Sequence, residues 1–371
     1  MKSLSLYVKP VSGRCNMRCS YCLFADGAGS GRAPDLGAMS METLEAVVGK
    51  ALSEAEESCN FAFVGGEPTL AGLDFFRRLV EMEDRLNRNG VAVSHALSTN
   101  GLLINDEWAA FLAKYNFVTT VSIDADKKVH SALRPDAQGK DTHNRAVLAV
   151  RHLAEHGAEH NIATVLTRAL AAHPDRTYRY YKDRNFRHVH FIPCLAAPDE
   201  DAAPYALGDE DYGRFLRRVF DLWYNDFAQG EYLSIRFFDS CVHALAGHAP
   251  AGGVGEIDPL VEADGTVYPC DPNAGSTPAL GNVREDSFAG MLESDAAKGF
   301  SAELTARRER FDAGGYGDIL RNGGHWIDPV LDAVLPLENY AEAYRTFFDH
   351  AKPRLEFLAK RLFADETPPS Q

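Results

Sequence analysis

Short runs rich in β-branched and aromatic residues alternate with longer stretches of helical spacing through the first two thirds of this chain, and few folds accommodate that order. It predicts a parallel sheet joined by crossover helices. The strands fall at Leu4–Lys9, Asn60–Val64, Ala92–Leu97, Phe117–Ile123, Asn161–Leu166 and His188–Pro193. Helices are expected between them at Ser40–Ala55, Leu73–Arg88, Asp106–Lys114 and Thr142–His156. In the first of these, Leu44, Val47, Val48 and Leu52 recur at helical spacing behind the capping residues Ser40 and Thr43. Six such strands make an α/β partial (β/α)6 barrel, TIM-like in plan. Functional groups in such folds gather at the carboxyl ends of the strands.

Three motifs stand at those ends. Cys15, Cys19 and Cys22 lie within eight residues after the first strand, Gly65-Gly66-Glu67-Pro68 follows the second, and Ser98-Thr99-Asn100-Gly101 follows the third. No other cysteine or histidine stands near the triplet to complete a metal site. A [4Fe–4S] cluster normally takes four thiolates, so three leave one iron open to something that is not protein. A structural zinc site, which wants four closed ligands, and cysteines kept for packing are the competing readings. The two glycines let backbone approach a ligand without intervening Cβ atoms, and Glu67 with the exposed backbone can hold an amino group.

The spacing CxxxCxxC followed by GGEP resembles the radical S-adenosylmethionine (SAM) superfamily. Segments along nearly the whole chain narrow this further: Leu4–Pro10, Gly65–Gly72, Ser122-Ile123-Asp124, His190–Leu195, Ser234–Asp239 and Asp264–Asp271 are similar to the anaerobic sulfatase-maturating enzymes. That resemblance implies a cluster on Cys15, Cys19 and Cys22 with SAM on its open iron. It also implies a 5′-deoxyadenosyl radical that takes hydrogen from a substrate residue. By the same resemblance Tyr21, Gly65, Gly66 and Glu67 are cofactor contacts. Ser122 and Arg134 hold the cofactor's polar groups, Leu195 lines the adenosine, and Asp271 is a proton-accepting base.

The family carries a C-terminal SPASM domain with further clusters, and here the chain departs from it. Cys270 remains in Tyr-Pro-Cys-Asp, yet no cysteine follows it, and Ala341 stands where a ligand would be. A degenerate SPASM-like α+β domain without auxiliary clusters is therefore expected over 234–371, after a radical SAM domain over 1–233. It should contain a hairpin at Leu260–Tyr268 turning at Asp264-Gly265, and a long helix at Leu337–Leu362 kinked or broken at Pro353. The segment Asp26–Met39 reads as a lid or a linker, and the tail Asp365–Gln371 as frayed. With a single cluster, redox-neutral outcomes gain ground, and Cys270 or Cys194 becomes a candidate hydrogen donor.

Composition limits the partners. The net charge of −15 argues against non-specific binding to nucleic acid. No apolar run approaches membrane-spanning length and Met1–Leu6 lacks a signal-peptide core, so the expected setting is cytoplasmic, without membrane. The seven cysteines, an odd number, suit a reducing compartment. The expected partners are a peptide or protein substrate and an external electron donor such as flavodoxin or ferredoxin. A small-molecule radical enzyme and an inactive cluster-binding scaffold are the alternative functions.

Overall fold

All six expected strands form within two residues of their expected bounds: β1 Ser3–Val8, β2 Ser58–Phe63, β3 Ala92–Thr99, β4 Phe117–Ser122, β5 His160–Leu166 and β6 His188–Pro193. Four short strands follow: β7 Ser234–Ile235, β8 Leu260–Val261, β9 Thr266–Tyr268 and β10 Gly281–Asn282. The computed structural model describes residues 1–22, 36–194, 204–248, 257–269, 277–311, 314–322 and 340–364. Much of the loop after Cys22 and all of the tail from Asp365 lie outside them, as do Leu195, Cys270 and Asp271.

Contacts group the chain into two compact units. The first takes Met1–Ser122, Ser131–His160 and Ile257–Ala302, and the second Ile123–His130, Asn161–Glu256 and Glu303–Gln371.

In the first unit the strand order is β10-β9-β8-β1-β2-β3-β4, with β1 through β4 all parallel. The two faces of β1 to β4 differ, because side chains alternate along each strand. Leu4, Leu6, Val8, Phe61, Phe63, Leu97, Phe117 and Val121 are buried on one face. They meet Phe75, Phe76 and Leu79 of helix Leu73–Leu86 and Trp108 of helix Asp106–Lys114. Phe76 stands edge-on to Phe63 at 5.0 Å and to Trp108 at 5.3 Å. The other face presents small and polar groups. Ser5, Asn60 and Ser94 share one level across three strands, and Ser98 and Thr120 pair nearer the strand ends. All five are at least partly exposed. A parallel sheet is ordinarily apolar on both faces, so a polar, accessible face marks where a ligand can lie.

The expected hairpin forms as β8 and β9. Its turn has Gly265 at φ +91°, and Thr266 N–H donates to Asp264 Oδ1 at 2.9 Å. Strand β8 pairs in parallel with β1, Tyr7 opposite Leu260 and Val8 opposite Val261. The hairpin thus extends the first unit's sheet.

In the second unit β5, β6 and β7 are parallel neighbours. Helix Ala341–Leu362 packs along helix Asp209–Ala228 and contains Pro353 without ending there. The expected break does not occur because Pro353 points outward, while Phe347, Phe348, Ala351, Leu355 and Leu358 hold the other face buried on both sides of it. No described helix is long and apolar enough to cross a membrane.

Candidate cofactor site

The loop after β1 carries Cys15, Cys19 and Cys22, all partly exposed. Its backbone is laced to the segment before helix His143–Glu155. Arg18 N–H donates to Pro135 O at 2.9 Å, Ser20 N–H to Leu133 O at 2.8 Å, and Ala137 N–H to Asn16 O at 2.9 Å. Burial pushes the Cys15 thiol up to about 12, against the opposing pull of a hydrogen bond from Met17 N–H to Sγ at 3.4 Å. Such a thiol becomes a ligand by giving its proton up to a metal.

The donor set can be tested against the two kinds of centre. Among the described residues, the one set of His, Cys, Asp or Glu donors drawn within 4.8 Å of one another is Asp106, His152 and Glu155, and the three cysteines are not in it. A single tetrahedral zinc would gather its ligands that closely. Three soft sulfur donors on one loop, not drawn together into that kind of set, suit an iron–sulfur cluster.

The Gly-Gly-Glu-Pro turn after β2 is seated on the main chain that leads into Cys15. Gly66 N–H donates to Ser12 O at 3.0 Å and Glu67 N–H to Arg14 O at 2.8 Å. A Cβ on Gly66 would stand 2.1 Å from Arg14 O, and one on Gly65, whose φ is +108°, 2.7 Å from Ser12 O. Both glycines serve a close approach between two loops, in addition to any approach to a ligand.

Glu67 is fully enclosed. Its Oε1 accepts from Thr69 N–H at 3.1 Å, Thr69 Oγ1 at 2.5 Å and Thr99 Oγ1 at 2.7 Å, and its Oε2 from Asn100 N–H at 2.7 Å. Burial raises its pKa, and the bonds from Asn100, Thr69 and Thr99 pull the other way. Three of these four bonds fall on Oε1 and one on Oε2, so the first oxygen is saturated and the second keeps a lone pair. The side chain ties the turn after β2 to the turn after β3. Glu67→Gln, with its amide oxygen kept for the two threonines, turns an amide donor toward the Asn100 N–H, which cannot accept. It should cost about 1–3 kcal/mol of stability, read as a lower midpoint in urea unfolding, with faster hydrogen exchange at the Asn100 amide.

Two more expected site residues meet each other: Arg134, nearly buried, donates from Nη1 to Tyr21 Oη at 2.9 Å. Ser122 closes β4 at the carboxyl end of the polar face, partly exposed. Cys194, in the second unit, is buried after β6, and burial pushes its thiol up to about 12.

The structure adds a residue that the sequence left unresolved between a ribose contact and a plain turn. Asn100 is buried and reaches both Asn16 and Cys15. An Asn-Gly directly after a strand is a visible turn signal, but nothing in the sequence points the side chain at a cysteine 85 positions earlier.

Residues 10–193 match the Radical SAM superfamily, and residues 255–313 match the SPASM iron–sulfur cluster-binding domain. The chain is 35% identical to a cysteine-type anaerobic sulfatase-maturating enzyme of Clostridium perfringens (strain 13 / Type A), over 98% of this chain and 100% of that one. It is 33% identical to the enzyme of the same description from Clostridium novyi, over 98% and 99%. The solved structure of native anSMEcpe with bound AdoMet matches with a TM-score of 0.87 at 34% identity, covering 96% of this chain and 99% of that one. The same enzyme with bound AdoMet and a Cp18Cys peptide gives 0.86 at 33%, covering 97% and 99%. Likeness of this extent, carried by a chain whose first strand ends in the three-cysteine loop, makes this protein a radical SAM enzyme of the anaerobic sulfatase-maturating family.

Proposed function

We propose that this enzyme takes hydrogen from a side chain or α-carbon of a peptide or protein, using a single [4Fe–4S] cluster on Cys15, Cys19 and Cys22 with SAM beside it. The observation that carries this is the packing of the Gly65-Gly66 backbone directly onto the main chain entering Cys15, which joins cofactor loop and cluster loop into one body. When bound, the cluster and SAM supply one-electron reduction and a hydrogen-abstracting 5′-deoxyadenosyl radical. The chain's residues bind and orient. Tyr21, Gly65, Gly66 and Glu67 contact the cofactor, and the Glu67 carboxylate also holds their turn in place. Ser122 holds a polar group at the strand end, and Arg134, whose guanidinium suits a carboxylate, is braced by Tyr21. Leu195 lines the adenosine, Asp271 accepts the substrate proton, and Cys270 or Cys194 returns hydrogen where the outcome is redox-neutral.

A peptide substrate is supported by the relative solved with a Cp18Cys peptide. A single cluster is supported by the SPASM-matching segment, which holds one cysteine, Cys270. By motif content the domains divide as 1–233 and 234–371, and the reductant is an external flavodoxin or ferredoxin in the cytoplasm.

Anaerobic reconstitution tests the core of the proposal. Roughly four irons per chain and reductive release of 5′-deoxyadenosine are expected. Roughly eight to twelve irons would overturn the single cluster. Turnover of cysteine- and serine-containing peptides in deuterated water, followed by mass spectrometry, then separates outcomes: one deuterium gained means hydrogen return, whereas oxidation reads as two hydrogens lost from a serine peptide, or as two hydrogens lost with sulfur replaced by water's oxygen and released as hydrogen sulfide from a cysteine peptide. No change in any peptide, with 5′-deoxyadenosine still released, would favour a small-molecule substrate.

A further inference from the structure

We infer that Asn100, on the turn after β3, sets the reduction potential of the cluster through a hydrogen bond to the sulfur of Cys15. The orientation of its carboxamide is settled by its neighbours. Leu102 N–H donates to Asn100 Oδ1 at 2.9 Å, an Asx turn. The amide nitrogen must therefore face the other way. There its two hydrogens serve Asn16 Oδ1 at 2.7 Å and Cys15 Sγ at 3.7 Å.

The side chain has little freedom to leave. Asn100 is 7% exposed, and its own N–H is bonded to Glu67 Oε2 at 2.7 Å. Backbone, Asx turn and Asn16 contact hold it on three sides. Cys15 Sγ also receives the Met17 amide at 3.4 Å, a main-chain donor that comes with the loop itself. Asn100 is the side-chain donor, brought from a different strand.

A donor at a ligating thiolate stabilises negative charge on sulfur. The reduced cluster carries one more negative charge than the oxidised one, so the bond favours reduction and raises the potential. Asn100 thus acts as a positioning and tuning residue through Cys15, and it joins the cluster ligand to Glu67 of the cofactor turn.

The inference rests on the cluster assignment above, and the test separates the two. Asn100→Ser keeps the turn, because its hydroxyl can accept from Leu102 N–H, but is too short to reach the sulfur. Asn100→Asp keeps the turn, loses the donor and adds charge. Each is reconstituted anaerobically, and the reduced cluster is titrated by electron paramagnetic resonance against solution potential, without SAM. Asn100→Ser should lower the ratio of reduced to oxidised cluster about tenfold at fixed potential, a shift of about 59 mV for one electron. Asn100→Asp should shift further in the same direction. Wild-type potential in Asn100→Ser, with its iron intact, overturns the inference. So does loss of iron in both variants, which would make the contact a requirement for assembly. If the wild-type chain itself holds no cluster, the functional proposal fails and this inference falls with it.

Discussion

Gly66→Ala is expected to leave a folded chain that no longer holds iron. The Cβ it adds would stand 2.1 Å from Arg14 O and 2.5 Å from the carbonyl carbon of Gly13, well inside contact distance. Neither atom belongs to a side chain that could swing away. Relief must come from the main chain at 13–14, immediately before Cys15, or from the turn at 65–67. The second route is blocked by Glu67, which is held by two threonines and the Asn100 amide. Displacement therefore falls on Cys15. Overpacking of this kind costs about 1–3 kcal/mol, which a chain of this size should survive, whereas the cluster proposed on Cys15, Cys19 and Cys22 would have no thiolate to spare. Iron after reconstitution should drop from roughly four per chain to below one, with a circular dichroism spectrum like that of the wild type. Full iron loading in Gly66→Ala would show that the two loops do not act as one body.

How far the sequence carries depends on the range of the interaction involved. The strands were legible because alternation at Ser3–Val8 and Phe117–Ser122 is a local signal, and the hairpin because Asp264-Gly265 marks its own turn. The seating of β8 beside β1 was not legible. Two strand residues carry no register, and the pairing spans more than 250 positions. Helix Arg236–Leu245 lies where the sequence showed only a segment of resemblance, Ser234–Asp239. Its buried positions, Phe237, Phe238, Cys241 and Val242, do fall at helical spacing. At the site, Cys15, Gly65, Gly66 and Glu67 were visible as motifs and are brought together. Their division of labour needed the fold, because only tertiary structure shows that the Glu67 carboxylate is held by Thr69, Thr99 and Asn100.

The hairpin itself leads to the second large expected effect, since Lys9 and Glu262 form an ion pair sealed from solvent. Nζ stands 3.0 Å from Oε1, and the two side chains are 0% and 1% exposed. Replacing Glu262 with Leu leaves a buried ammonium without its carboxylate, which should cost about 3–5 kcal/mol. The double variant Lys9→Met with Glu262→Leu removes both charges while keeping an unbranched stem at position 9. Most of the lost stability should return, since buried pairs replaced by apolar groups are often neutral in sum. Urea unfolding of the wild type, both single variants and the double gives the coupling, and a double variant no more stable than Glu262→Leu would sink the argument. The stem matters for the site as well: a Cβ on Gly65 would lie 2.9 Å from Lys9 Cγ, so the lysine chain forms part of the floor beneath the cofactor turn. Lys9 N–H also donates to Val261 O at 2.9 Å. The same lysine thus secures β8 through its main chain and its charge, and supports Gly65 through its methylenes. A hairpin welded in this way serves the cofactor turn whether or not auxiliary clusters lie beyond it, a physical reason for it to persist in a segment with a single cysteine.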